Sequence, residues 1–366
     1  MSGDAKPLRW AVLGTGVVSG KFVQGLRVLG PAARVVTVAS RDARNATRFA
    51  AQFGVPTAAP DYASAAQHRD VDAVYIATPP SEHEAHAMLA IAAGKAVLIE
   101  KPFALNAGAA RRIAEAAEAA GVFCMEAMWT RFLPMVRQIA QKIDAGDLGE
   151  LRSLQGNFMI PNRVDAAASL FDPARGGGAL LHRGIYPLSL ARQFLGPITG
   201  LQATGRIGDT GVDEDCVLVA RHANGAVSTV TASLRSAGSN DLWIAGTRAV
   251  LHVQGPIFRP YQARLITVPA RGAAGGNTGG PSGGRMQAIK ESGFAQRLNQ
   301  MVPGAVRALL SGHKTLRAPY AGNGYHYEAA EVAACLARGQ TQSALMPLEQ
   351  SIQIMDMIDQ ARAQFS

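Results

Sequence analysis

The feature that most constrains the fold is an alternation, in the first third of the chain, between continuously apolar runs and segments of helical period. "RWAVLGT", "RVVTVAS", "DAVYIAT", "AVLIEKP" and "GVFCMEAM" are apolar along their length rather than on every second residue, which is how strands covered on both faces read. Between them lie "GKFVQGLRVLG", "RNATRFAAQFG", "EHEAHAMLAIAAG" and "AGAARRIAEAAEAAG", each with a helical pattern. Repeated units of this kind build a parallel sheet between two layers of helices, so a first domain is expected over residues 1–128.

Beyond it the texture changes. "LRSLQGNFMI", "LQATGRIGD", "DCVLVARHANGAVSTVTASLR" and "DLWIAGTRAVLHVQG" read as strands separated by turn residues, with "HANG" as a hairpin loop. The expected fold is α/β: a doubly wound parallel sheet, then an α+β domain over residues 129–345 whose large open sheet is mostly antiparallel. Behind Pro347, Leu348, Ile352, Met355, Ile358 and Phe365 share one face of a final amphipathic helix, so residues 346–366 are expected to pack back on the body. The stretch "ARGAAGGNTGGPSGG", around residues 271–285, has too little apolar surface to order itself and reads as a surface loop.

Composition excludes several functions. With 366 residues, 48% of them hydrophobic, the chain can bury two cores, yet no run of about 18 apolar residues suggests a membrane span. The start "MSGDAKPLRW" lacks the order of a secretory signal, so a cytoplasmic protein is expected. The net charge of +9 comes from scattered Lys and Arg with no basic run among aromatics, which argues against nucleic acid and for anionic small molecules such as phosphorylated cofactors. Cys124, Cys216 and Cys335 are odd in number and lack metal-ligand spacing, so buried free thiols and no metal are expected.

The chemistry begins at "GTGVVSG". Gly14 permits a tight turn after the first strand, and Gly16 lets backbone N–H groups reach a pyrophosphate. Thr15, Val17 and Val18 complete the turn and the start of a helix whose N-terminus attracts the phosphate charge, while Ser19 stands where a third glycine usually closes the pattern. At the end of the second strand, Ser40 and Arg41 replace the acidic residue that would hold a ribose hydroxyl and repel a 2′-phosphate. A hydroxyl and a guanidinium suit that phosphate, so NADP(H) is preferred over NAD(H), with the charge of Asp42 as the opposing feature. In "EKPFALN", Lys101 stands just past the carboxyl end of a buried strand, where a desolvated ammonium near a nicotinamide can stabilise charge on a substrate oxygen.

"AVLGTGVVSGKF", "ATPPSEHEAHAMLAIAAGKAVLIEKPFALN", "MEAMWTRFLP", "GGGALLHRGIYPLSLA" and "GNGYHYEAAEVAACLARG" together resemble the Gfo/Idh/MocA oxidoreductases, and are most similar to the branch holding dihydrodiol and NADP-dependent xylose dehydrogenases. The resemblance implies a Rossmann domain followed by a domain whose open sheet forms the interface of a homodimer or homotetramer. It implies hydride transfer between a nicotinamide and a carbon bearing a hydroxyl, on a small sugar, polyol or cyclic diol. Lys101 matches the family's catalytic lysine. Thr78, Pro79, His83 and Glu100 fall in motifs near the cofactor, with capping or packing the alternative for His83, and Trp129, Arg131, Phe132 and Arg183 are expected at the substrate, with core packing the alternative for Trp129 and Phe132 and a structural role for Arg131.

Relatives usually carry an Asp four residues before the catalytic His or Tyr. Here Tyr186 matches the second position and His182 replaces the Asp. On one continuous helix the two would share a face with Gly184 leaving room between them, although Pro187 weakens that geometry. Without the Asp, Lys101 should lose its proton more easily. Three readings stay open. Tyr186 is the acid/base while His182 orients substrate; His182 shuttles the proton at a pKa near 6.5; or ordinary alcohol oxidation is lost. Lys101, His182, Arg183 and Arg175 around one crevice would suit an anionic substrate. The alternatives to a dehydrogenase are a redox-neutral, nicotinamide-dependent glycosidase and a non-catalytic NADP sensor.

Overall fold

The computed structural model describes residues 6–267 and 313–365. Its first sheet has six parallel strands, β1 (Leu8–Leu13), β2 (Ala33–Ala39), β3 (Thr57–Ala58), β4 (Ala73–Ile76), β5 (Ala96–Glu100) and β6 (Cys124–Ala127), in the order β3-β2-β1-β4-β5-β6. Every residue of β4, β5 and β6 is buried, as the unbroken apolar runs require of a sheet with helices on both faces. Helices α1 (Val17–Leu26), α2 (Ala43–Phe53), α3 (Tyr62–Ala66), α4 (His83–Ala92) and α5 (Ala107–Ala120) supply those layers. Asp42 caps α2 by accepting from Arg44 N, and Asn106 caps α5 by accepting from Ala109 N. The strand order reverses between β1 and β4, which opens a crevice at their carboxyl ends.

The second sheet has eight strands, β7 (Leu151–Met159), β8 (Ile198–Ile207), β9 (Asp213–His222), β10 (Val227–Ser233), β11 (Leu242–Gly246), β12 (Ala249–Val253), β13 (Gln262–Thr267) and β14 (His313–Arg317). They run in the order β14-β13-β12-β11-β7-β10-β9-β8. Among the described residues only the β7/β10 pair of this sheet is parallel. "HANG" does close a hairpin, with Val227 opposite Arg221. On β9, Cys216, Leu218 and Ala220 face the core while Val217, Val219 and Arg221 face outward, the period-2 pattern of a sheet covered on one side.

Helices α6 (Pro134–Asp144), α7 (Ile185–Leu195), α8 (His326–Ala337) and α9 (Leu348–Arg362) complete the described α-helices. Helix α9 ties the two parts together: Asp359 accepts from Ala107 N at 2.8 Å, Asp356 pairs with Arg111, and Gln353 accepts from Arg192 on α7. Its buried face holds Leu348, Ile354, Met355 and Ile358, with Ile352 half-buried; Phe365 lies beyond the helix end, against Gly205 of β8. The "GNGYHYEAAEVA" segment packs against α1, where Gly25 leaves room for Tyr325 and Asn323. The three cysteines are buried and free. No described helix is long and apolar enough to cross a membrane. The Gly-rich stretch around 271–285 lies outside the described residues.

Candidate active site

The crevice is built first by Gly14 and Gly16. Gly14 has φ +106°, and a Cβ there would stand 2.6 Å from Ala77 O at the end of β4, so the turn is closed against the sheet. Gly16 is different: no atom lies within 4 Å of its Cβ position, and it begins α1 with no side-chain cap. The first N–H groups of α1, from Val17 and Val18, thus face open space at the positive end of a helix, which fits a pyrophosphate. Thr15 Oγ1 donates to Ser40 Oγ at 3.1 Å, which ties this loop to the end of β2. Next to it Arg41 is exposed and has no ion pair among the described residues. The opposing charge of Asp42 is held by Arg44 at 3.1 Å and by its role as the α2 cap, which keeps its carboxyl below the usual range.

On the other side of the crevice, β5 delivers Glu100 and Lys101. Glu100 is buried, accepts from Tyr75 Oη at 2.6 Å and from Lys101 N at 3.1 Å, and is pushed up to about 7 by burial. His83 is 1% exposed, its two ring nitrogens each 2.9 Å from a backbone carbonyl, Thr78 O and Pro102 O. Burial lowers it to about 4, and the neutral ring, with a single N–H, donates to only one of these carbonyls as it sits wedged between the end of β4 and the Lys101–Pro102 turn. Thr78 Oγ1 hydrogen-bonds His86 Nδ1 at 3.0 Å, and Pro79 leads into the turn before α4.

Lys101 Nζ donates to the backbone carbonyl of His182 at 3.2 Å and lies 5.1 Å from the centroid of the Tyr186 ring. Its pKa is lowered, first by burial, against the attraction of Glu100 and Glu126 behind it. The expected direction is therefore present, with desolvation as the leading cause instead of the missing Asp.

His182 and Tyr186 do not sit on one uniform α-helix. Leu180–Gly184 form a π-turn, in which Ile185 N reaches back to Leu180 O, and α7 follows. Gly184 does not clear space between the two side chains; its missing Cβ makes room for Leu180 and Ala232. The imidazole of His182 bonds Gly176 O through Nε2 at 3.1 Å, and burial and the Lys101 charge lower it to about 3, so it is neutral with that nitrogen protonated. This is far from the value near 6.5 that a proton shuttle at neutral pH would use. Tyr186 Oη accepts from Trp129 Nε1 at 3.2 Å, which leaves its own proton free to donate, and burial raises its pKa.

An aromatic wall surrounds this cluster. Phe158 meets Tyr186 edge-on at 5.4 Å and stacks on Phe258 at 5.0 Å, while Trp129 stacks on Tyr325 at 4.8 Å. Phe158, Phe258 and Tyr325 were not singled out from the sequence as site residues. The phenylalanine of "GNFMI" alternates with polar residues on β7, and that inward phase is the one signal that points to it.

Two expected substrate contacts are corrected. Arg131 is 0% exposed, donating to Ser189 Oγ, Ser189 O and Gln350 Oε1, so it is a strut under α7 and α9. Arg183 is also buried, and its guanidinium goes to Ile160 O, Ser233 O and Asn162 Oδ1. Arg175 donates to Ala167 O. Both guanidinium groups have backbone partners, and the buried Arg183 still adds positive charge at Lys101 and His182. Phe132 is buried in the core.

Comparison with known proteins gives the same picture. Residues 8–128 match the GFO_IDH_MocA family, described as an oxidoreductase family with an NAD-binding Rossmann fold, and residues 136–252 match the GFO/IDH/MocA C-terminal domain. The chain is 30% identical to trans-1,2-dihydrobenzene-1,2-diol dehydrogenase of Bos taurus, over 97% of this chain and 96% of the relative. It is 29% identical to D-xylose 1-dehydrogenase (NADP(+)) of Hypocrea jecorina, over 99% and 93%. Among solved structures, a levoglucosan dehydrogenase in complex with NADH and levoglucosan has the same fold, with a TM-score of 0.80 at 19% identity over 98% of this chain and 97% of that one.

Proposed function

The chain belongs to the Gfo/Idh/MocA oxidoreductases, and from that premise we propose that it is an NADP(H)-dependent enzyme acting on a ring carbon of a cyclic diol or sugar. The observation that carries this is the placement of Lys101 Nζ between the His182 carbonyl and the Tyr186 ring, at the carboxyl edge of β5. The bound nicotinamide supplies the hydride acceptor or donor. Gly16, Val17 and Val18 would hold its pyrophosphate on a turn shaped by Gly14 and Thr15, Ser40 and Arg41 would hold its 2′-phosphate, and Thr78 and Pro79 would line the crevice.

The chain's own groups manage the proton and the charge. In reduction, the substrate oxygen takes its proton from Tyr186 Oη while Lys101 Nζ stabilises the developing alkoxide. In oxidation the same two groups work in reverse. Glu100 anchors the Lys101 backbone, Tyr75 fixes Glu100, and neutral His182 fixes the turn through Gly176 O. Trp129, Phe158 and Phe258 offer apolar faces that favour a ring substrate over an open polyol. The names of the diol and xylose dehydrogenase relatives support this choice.

The outward face of the second sheet exposes Val217, Val219, Val227 and Trp243, and we assign it to a homodimer or homotetramer interface. Three buried free thiols suit the cytoplasm. The test is titration with NADPH and NADH, then a carbonyl and cyclic-diol screen at 340 nm. NADPH preference with turnover supports the reading; nucleotide binding without turnover on any ring substrate refutes it.

A further inference from the structure

We infer that Asp213, at the start of β9, is a positioning residue whose buried carboxylate fixes the turn that presents the His182 carbonyl to Lys101 and Tyr186 to the crevice. The inference rests on the catalytic reading of Lys101 and Tyr186 given above.

The segment from Ala179 onward begins a helix without a cap of its own, since the preceding residues are three glycines and Ala179 provides no side-chain acceptor. Its first N–H groups need acceptors in a buried setting. Asp213 supplies one from 33 residues away: Oδ2 accepts from Leu180 N at 2.6 Å, and the residue is 2% exposed. A carboxylate at the positive end of a helix is favoured by charge as well as by the hydrogen bond.

Gly178 is shaped to this carboxylate. It has φ +119°, and a Cβ there would stand 2.1 Å from Asp213 Oδ1, so the acid fills the space of the missing side chain. Gly176 and Gly177 are close-packed against other partners, Pro80 and Leu105 for the first, Leu170 and Asp172 for the second. The turn is thus clamped between the first domain and β9.

The clamp reaches the site through two bonds. Leu180, held at its N–H by Asp213, offers its carbonyl to Ile185 N in the π-turn, and Tyr186 is the next residue. Two residues past Leu180, the His182 carbonyl accepts from Lys101 Nζ. Burial raises the Asp213 carboxyl to about 6, opposed by the Leu180 and Ala179 N–H groups and by Arg362 of α9, so at neutral pH it is mostly the charged acceptor.

The test compares Asp213→Ala, Asp213→Asn and Gly178→Ala in the full chain. For Asp213→Ala we expect kcat to fall about ten- to a hundredfold, the range for a lost charge-assisted bond, with the NADPH Kd within twofold. Hydrogen exchange over residues 176–190 should quicken while the rest of the chain keeps its protection. Asp213→Asn retains an acceptor oxygen and should recover about half of the logarithmic loss, as expected when a charged partner becomes a neutral one. Gly178→Ala drives a Cβ against the acid and should reproduce the kcat loss; it decides the matter where Asp213→Ala does not fold. Wild-type kcat and exchange in folded Asp213→Ala or Gly178→Ala overturn the inference, as does a parallel loss of kcat and NADPH affinity. If the wild type turns over no substrate, the catalytic reading fails, while the exchange data still decide whether Asp213 holds the turn.

Discussion

Replacing Gly14 and Gly16 separately by alanine should split fold from cofactor binding within one turn. At Gly14 the new Cβ meets Ala77 O at 2.6 Å and Ala77 C at 2.9 Å, both backbone atoms just past the end of β4 that cannot swing aside as a side chain would. The φ of +106° adds conformational strain. Strain of about 1–3 kcal/mol and overpacking of about 1–3 kcal/mol give a loss near 4 kcal/mol. That corresponds to a Tm lowered by roughly 8–16 °C, at about 2–4 °C per kcal/mol.

At Gly16, φ −76° and ψ 179° suit any residue and no atom lies within 4 Å, so Tm should stay the same or rise slightly, alanine lowering the entropy of the unfolded chain. The Cβ instead occupies space that a pyrophosphate needs, and NADPH affinity should fall about ten- to a hundredfold, or about 1.4–2.8 kcal/mol. Thermal melts without ligand and fluorescence titration with NADPH read the two effects independently. A Gly16→Ala protein with wild-type NADPH affinity refutes the route of the phosphates over this turn. A Gly14→Ala protein with an unchanged melt refutes the contact with β4.

Lys101→Met should lower turnover by about 10²–10³ with NADPH affinity nearly intact, measured by single-turnover kinetics and titration; full activity would remove Lys101 from the chemistry. Arg41→Ala should weaken NADPH by about tenfold and leave NADH little changed, the comparison of the two Kd values being the readout. His182 has a folded pKa near 3 against an unfolded value near 6.5, so its contribution is present above pH 6.5 and is lost as pH falls towards 3. Glu100, raised to about 7, and Asp213, raised to about 6, act in the opposite sense, which flattens the wild-type curve between pH 5 and 6. In urea melts at pH 5 and pH 6.5, His182→Gln should therefore gain stability relative to the wild type at the lower pH; a pH-independent difference contradicts a neutral buried His182.

Much of the fold was legible because it depends on patterns that local sequence carries. Continuous apolar strands alternating with helices leave a parallel sheet as their packed arrangement, and Gly14, Gly16 and Arg41 are placed by position relative to β1 and β2. Lys101 follows from the end of β5 in the same way. The direction of the long side chains was not legible. Arg131 and Arg183 read as cations for a substrate, yet their partners are Ser189, Gln350, Ile160, Ser233 and Asn162, which only packing brings within reach.

The sequence by itself determined the layers and the glycine turn of the crevice, since those rest on periodicity and on short motifs at strand ends, and it put Lys101 just past β5, whereas Tyr186 came only with the family resemblance. Tertiary structure alone decided what each glycine makes room for, that His182 is neutral and locked to Gly176 O, that an aromatic wall assembles from Trp129, Phe158 and Phe258, and that Asp213 caps a helix 33 residues before it. Those outcomes depend on through-space distances, and on desolvation that arises only when separate parts of the chain close on one another.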